Sequence, residues 1–136
     1  MEQRTTEIPP QGWLNYFEGL SKRALSHLIR VEVENQEMGA QELVREMPLL
    51  GIEVESKGSE LGDIEITLGN ERQEFMHCIE DPMRVYLKIN EDGDLDCLAI
   101  EDRSGSKTLL FFEGGLGVPA WAHPNGQAPE PPSMGM

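Results

Sequence analysis

Short segments in which apolar and polar residues alternate recur along the chain between residues 29 and 112. Ile29–Glu34, Ile64–Leu68 and Val85–Ile89 show the alternation most clearly, and Gly, Asp-Gly or Pro breaks separate such segments. A period of two residues places successive side chains on opposite faces of a sheet, so one face is apolar and the other is polar. The pattern predicts a mainly β (α+β) domain with seven or eight antiparallel strands.

One helix is predicted before these strands. Apolar residues recur there at spacings of three or four residues, at Trp13, Phe17, Leu20, Ala24 and Leu28. This spacing is typical of one face of an amphipathic helix, and the preceding Pro9 and Pro10 suit a helix start. We expect the helix to cover the sheet.

The remaining strands are predicted from the same alternation, bounded by turn residues. They are Leu49–Glu55, Asp63–Leu68, Gln73–Ile79, Arg84–Ile89, Leu95–Glu101 and Lys107–Phe112, whereas Ala40–Met47 fits either a strand or a helical turn. Pro82 cannot donate to a ladder, so it belongs at a strand boundary or an edge. Tight turns between most strands indicate a meander that curls into a barrel or packs as two layers.

Composition divides the chain into three parts. Residues 1–8 are polar and are predicted to be a disordered leader, and residues 9–113 form the helix-capped β domain. Residues 114–136 contain five Pro and five Gly, with Glu130 as their one charged residue. Such a composition cannot bury enough surface to fold alone, so this part is predicted to be an extended tail.

The charge balance narrows the class of partner. The 136 residues include 25 acidic and 11 basic ones, a net charge of −14. Binding to nucleic acid needs clustered Lys and Arg, and attraction to an anionic membrane needs positive charge, so neither is expected. A protein partner, favoured if basic, is the natural expectation for so acidic a surface.

The chain has no apolar segment of membrane-spanning length, and its start does not resemble a signal peptide. Its two cysteines, Cys78 and Cys97, lie in predicted strands, and we expect them to be reduced in a cytoplasmic protein. A disulfide between neighbouring strands is the alternative.

An acidic segment around Asp92-Gly93 carries the chain's candidate metal ligands. Asn90, Asp92, Asp94 and Glu101 fall at positions one, three, five and twelve of a calcium loop. The sixth position of such a loop needs Gly but holds Leu95, and the flanking segments are predicted strands. Asp-Gly is itself a strong hairpin signal, so we expect a hairpin tip, with weak divalent-cation binding as an alternative.

His77 and Cys78 suggest a second kind of site. Adjacent strand residues point to opposite faces, which disfavours a shared zinc ion or a Cys–His nucleophile pair. An interior ligand site or a small active site near His77, Cys78 and Tyr86 stays open as an alternative. No catalytic residue and no cofactor are expected, because nucleophile-elbow and phosphate-loop motifs are absent from the sequence.

The tail carries one candidate anchor. Trp121 stands between Pro119 and Pro124, in a segment that proline stiffens in an extended form. Trp is a favoured anchor at protein interfaces, so docking of this segment on a partner is expected. Folding back onto the chain's own domain and a simple spacer role are the alternatives.

Several short motifs resemble a small, uncharacterised bacterial family that is a domain of unknown function. They are the aromatic helix with Trp13 and Phe17, Gly39-Ala40-Gln41, Pro48-Leu49-Leu50-Gly51-Ile52, Ile79-Glu80-Asp81-Pro82 and Leu98-Ala99-Ile100-Glu101-Asp102. The resemblance covers about residues 12–112 and implies no assigned activity.

The sequence thus predicts a noncatalytic acidic accessory protein. It would bind a protein partner through its negative surface and its Pro/Trp tail. The alternatives are a small-ligand-binding barrel or small enzyme, and a weak cation site at the Asn90–Glu101 hairpin.

Overall fold

A computed structural model of the chain describes residues 4–56 and 62–117. Eight strands and one α-helix are formed there, and a single 3₁₀ turn, Pro10–Gly12, leads into the helix. The elements are β1 (Arg4–Ile8), α1 (Trp13–Arg23), β2 (Leu28–Asn35), β3 (Gly39–Val54), β4 (Ile64–Gly69), β5 (Glu74–Ile79), β6 (Pro82–Ile89), β7 (Leu95–Asp102) and β8 (Lys107–Leu116).

All strand pairs are antiparallel and form one sheet in the order β1-β6-β7-β8-β2-β3-β4-β5. Two meanders, β2 to β5 and β6 to β8, are joined where β2 pairs with β8. The prediction of a mainly β fold with seven or eight antiparallel strands and one N-terminal helix is therefore confirmed.

The sheet curls because of one very short connection. β5 ends the sheet and β6 lies second from the other end, yet only Glu80 and Asp81 link them. Asp81 adopts a left-handed backbone with φ of 51°, which an Asp tolerates. Its N–H donates to Asp63 Oδ1 (3.1 Å), and its carbonyl accepts the N–H of Arg103 (3.0 Å). Within the described residues β5 and β6 share no ladder, so the curled sheet stays open.

Strand β3 is long because it pairs first with β2 and then with β4. Its first part, Gly39 to Pro48, pairs with β2, and its last part, Leu49 to Val54, pairs with β4. The sequence left Ala40–Met47 undecided between strand and helical turn, and the structure makes it strand. Register shifts in the β2–β3 pairing bulge the first part, whereas Gly51 to Val54 pairs with β4 without a shift.

The core lies between the inner face of the curled sheet and α1. The alternating residues that predicted the strands are buried in it: Ile29, Val31, Ile64, Ile66, Leu68, Val85, Leu87 and Ile89. From α1 and its C-cap come Trp13, Phe17, Leu20 and Ala24. The helical stripe ends there, because Leu28 is 40 % exposed and begins β2.

Two domain boundaries need correction. Residues 4–8 are not a disordered leader: they form β1, which pairs with β6, and Ile8 is buried. The folded part also continues beyond Glu113, because β8 runs to Leu116, which is buried and pairs with Leu95.

In residues 4–56 and 62–117, no helix combines the length and the apolar character needed to cross a membrane.

Candidate functional site

The acidic hairpin between β6 and β7 uses its oxygen atoms to hold its own backbone. Asn90 Oδ1 accepts the N–H groups of Asp92 (2.9 Å) and Asp94 (3.0 Å), and the Asn90 carbonyl accepts the N–H of Gly93 (2.9 Å). Gly93 has φ of +88°, as a tight hairpin tip requires. The predicted hairpin tip at Asp92-Gly93 is therefore confirmed.

Glu101, the fourth candidate calcium ligand, lies at the far end of β7. It lies six residue steps along the strand from Leu95, a distance of about 20 Å. It forms ion pairs there with Lys107 (3.5 Å) and Arg84 (4.0 Å). The four candidate ligands do not converge, and within the described residues no group of three His, Cys, Asp or Glu side chains could hold a metal ion.

The residues proposed for an interior site also lie apart. His77 points inward from β5, where Nε2 and Thr108 Oγ1 share a hydrogen bond of 3.3 Å. Burial lowers the pKa of His77 below its ordinary value, and the Asp102 carboxylate partly opposes this. Cys78 is exposed on the opposite face of β5, and Tyr86 packs on the outer face of the sheet with Cys97.

That outer face carries a small apolar cluster of its own. Cys97, Ala99 and Leu109 are buried there beneath Tyr86 and Phe111, and the Arg30 guanidinium lies 4.0 Å from the centroid of the Phe111 ring. Burial raises the pKa of the Cys97 thiol to about 11, so the thiol stays protonated and unreactive. Cys78 and Cys97 form no disulfide with each other.

A half-buried pair, Tyr16 and Arg23, lies on α1. Burial raises the pKa of Tyr16 to about 12, and the Arg23 guanidinium, 5.9 Å from the ring centroid, acts in the opposite direction. The Tyr16 hydroxyl has no hydrogen-bond partner within the described residues. The high pKa keeps this phenol neutral, so it cannot act as a base near neutral pH.

Two carboxylates face each other on the outer surface of the β3–β4 pair. Glu53 lies directly opposite Glu65 in the antiparallel register, and the next residues on the same face are Glu55 and Asp63. Directly opposed residues of such a pair share one face, with Cβ atoms about 5 Å apart. None of the ion pairs formed within the described residues involves Glu53 or Glu65.

A groove of about 510 Å³ runs beside this acidic face, between α1 and the edge of β3. Its lining residues are Leu14, Glu18, Ser21, Lys22, Ile52, Glu53, Val54, Glu55 and Ser56. Ser21 holds the helix to the strand, since its Oγ accepts the N–H of Ile52 (2.9 Å) and donates to the Ile52 carbonyl (3.2 Å).

Only an indirect sign of this groove is present in the amino-acid sequence. Leu14, Glu18 and Ser21 each follow a residue of the buried stripe, so they form a second stripe beside it. The apolar Leu14 on this otherwise polar stripe was the one sign of a groove in the sequence. The free edge of β3 depends on where β2 begins, and no local pattern fixes that pairing. The predicted tail anchors Trp121, Pro119 and Pro124 lie outside the described residues.

Comparison with known proteins relates the chain to sequences of unknown function. The sequence model of DUF5335, a family of unknown function, matches residues 4–120. An uncharacterised protein from Aquifex aeolicus (strain VF5) is 29 % identical over 115 residues, which cover 85 % of this chain and 97 % of that protein. No solved structure matches the chain. The resemblance to a small uncharacterised family, predicted from the short motifs, is confirmed.

Proposed function

The chain belongs to the DUF5335 family of unknown function, and on that premise we propose that it is a noncatalytic accessory protein that binds a basic protein partner. The acidic surface around Glu53 and Glu65 is the primary contact. The segment from Pro119 to Pro124, with Trp121 as anchor, is a second contact.

The observation that carries the proposal is the direct opposition of Glu53 and Glu65. Like charges placed directly across a strand pair destabilise the sheet. A partner that brings Lys or Arg side chains to this face would relieve the repulsion between the two carboxylates. That relief would add to the free energy of binding. The net charge of −14 adds a long-range attraction that speeds encounter with a basic partner.

The separation of the titratable groups supports a noncatalytic role. His77 lies inside the curled sheet, Cys97 lies on its outer face, and Tyr16 lies on α1. Acid–base or nucleophilic catalysis needs such groups within hydrogen-bond reach of one another. Within the described residues none of these three groups hydrogen-bonds to another, which favours binding over chemistry.

The rest of the proposal follows from the sequence. Two cysteines present as thiols support a cytoplasmic location. The acidic balance supports a protein partner rather than nucleic acid. A Trp between two prolines supports docking of the tail, because a stiff extended segment has little chain entropy to lose.

Affinity capture from an extract of the native cell tests the proposal. The bait is the full chain, compared with the double variant Glu53→Gln and Glu65→Gln, and bound proteins are quantified by mass spectrometry. We expect one basic protein to be enriched on the unmodified bait and reduced several-fold on the variant, with recovery falling as salt rises.

A second double variant, Glu37→Gln and Glu74→Gln, removes the same charge from other exposed positions and is expected to retain the partner. Equal recovery on all three baits, or equal loss on both variants, would contradict binding through this face. A bait that ends at Gly117 measures the contribution of the tail separately.

A further inference from the structure

We infer that the groove between α1 and the edge of β3 binds a short, extended, basic segment of the partner, which adds as one more strand beside Val54. This inference rests on the proposed function and names the form that the partner's contact takes.

Along this edge of β3, the backbone groups of Leu49 and Ile52 have hydrogen-bond partners from outside the sheet. The Leu49 N–H and carbonyl bond with His27 and Ser26 of the α1–β2 connection, and those of Ile52 bond with Ser21. The Glu55 N–H points the other way, to the Asp63 carbonyl across the β3–β4 pair. Because these directions alternate along a strand, the N–H and carbonyl of Val54 face the groove. An exposed strand edge of this kind is a template for pairing with another chain.

The side chains around Val54 suit an amphipathic strand with basic residues. Leu14 is 56 % exposed on the α1 wall and offers apolar contact. Three carboxylates, Glu18, Glu53 and Glu55, line the groove against one cation, Lys22. This imbalance favours a ligand that carries Lys or Arg on alternate positions and apolar side chains between them.

The other part of β3 is protected against such pairing. Register shifts break its pairing with β2 between Ile29 and Glu32, and bulges of this kind twist an edge away from a flat template. The edge beside Val54 has no such shift.

The charge of the groove argues for a partner segment over the chain's own tail. Residues 118–136 contain no Lys or Arg, so they offer no permanent cation to the three carboxylates. Competition by the tail is one outcome of the peptide-binding experiment.

The probe is a fluorescein-labelled six-residue peptide of alternating lysine and valine, and its binding to the full chain is followed by anisotropy at low salt. We expect saturable binding that shifts the amide resonances of Val54 and Leu14. The same peptide with its two central amides N-methylated should bind about tenfold more weakly, since it loses donors but keeps its charge. A peptide of alternating glutamate and valine should not bind.

Two variants test the protein side. Val54→Pro removes the groove-facing N–H at an edge position, where proline is tolerated, and should abolish binding. Glu18→Gln with Glu55→Gln should weaken binding about fivefold, whereas Glu37→Gln with Glu74→Gln should leave it unchanged. The N-methylated peptide tests the same backbone contact even if Val54→Pro fails to fold.

Equal binding of the methylated and unmethylated peptides would overturn strand addition, and equal weakening by both charge variants would show attraction by net charge alone. Tighter probe binding to a chain ending at Gly117 would assign the groove to the tail and overturn a partner segment. If Val54→Pro still captures the basic partner from extract, the groove inference fails while the proposed function stands. Capture that is lost with Glu53→Gln and Glu65→Gln but retained with Val54→Pro would have the same meaning.

Discussion

Ser21 and the backbone of Ile52 hold α1 to the sheet by a reciprocal pair of hydrogen bonds. The hydroxyl accepts the Ile52 N–H at 2.9 Å and donates to the Ile52 carbonyl at 3.2 Å. The Ser21 side chain thus supplies the hydrogen bonds that a neighbouring strand would otherwise form with Ile52. Ile52 can therefore stay buried although β2 no longer accompanies β3 at this point.

The substitution Ser21→Ala should lower the free energy of unfolding by about 1–3 kcal/mol, because it leaves a donor and an acceptor of Ile52 without partners. Urea unfolding followed by circular dichroism measures the change. Ser106→Ala is the control: this hydroxyl lies in the exposed β7–β8 turn, 3.5 Å from Ser104 Oγ, and its loss should cost less than about 0.5 kcal/mol. Similar costs for the two variants would refute the role assigned to Ser21.

The half-buried His77 should make stability depend on pH. Burial lowers its pKa in the folded state, so the unfolded chain binds the proton more readily. The contribution of neutral His77 is complete above the unfolded pKa of about 6.5 and is lost as the pH falls through the lowered folded pKa. Unfolding free energies between pH 7.5 and 5 should therefore fall more steeply for the unmodified chain than for His77→Gln. Parallel curves would contradict the effect of burial.

The Asn90 side chain should act as a structural brace and not as a calcium ligand. Its Oδ1 already accepts the N–H groups of Asp92 and Asp94, so Asn90→Ala should destabilise the domain by about 1 kcal/mol. Millimolar calcium should leave the Tm unchanged and give no heat in calorimetric titration. A calcium-dependent rise in Tm that Asn90→Ala removes would show the opposite.

Two C-terminal truncations should differ in stability. A chain ending at Glu113 loses Leu116, which is buried and pairs with Leu95, whereas a chain ending at Gly117 keeps that pair. Loss of a buried Leu costs about 2–5 kcal/mol, so the shorter chain should have the clearly lower Tm. Equal Tm values in differential scanning calorimetry would return the domain boundary to Glu113.

Side-chain periodicity was enough to predict the strands that have one apolar face. Ile64, Ile66, Val85 and Leu87 alternate with polar residues and are all fully buried. The helix followed from its spacing in the same way, and Pro82 marks the start of β6, as its missing N–H required.

Strands that form only because a neighbouring strand pairs with them could not be predicted from the sequence. Arg4–Ile8 has little apolar content, and it becomes β1 because the edge of β6 supplies hydrogen-bond partners. β8 likewise extends through Gly114 and Gly115 because its end pairs again at Leu95. Strand preference depends strongly on context, so a polar or glycine-rich strand leaves no periodic signal.

The amino-acid sequence alone determined that the alternating strand residues and the helical stripe from Trp13 to Ala24 are buried, where most turns fall and how strongly negative the chain is, since these follow from local periodicity and composition. Only the tertiary structure decided that Glu53 faces Glu65 and that the Val54 edge lies open beside Leu14. Both depend on which strands become neighbours, and strand pairing joins segments far apart in the chain through backbone groups that every residue carries alike.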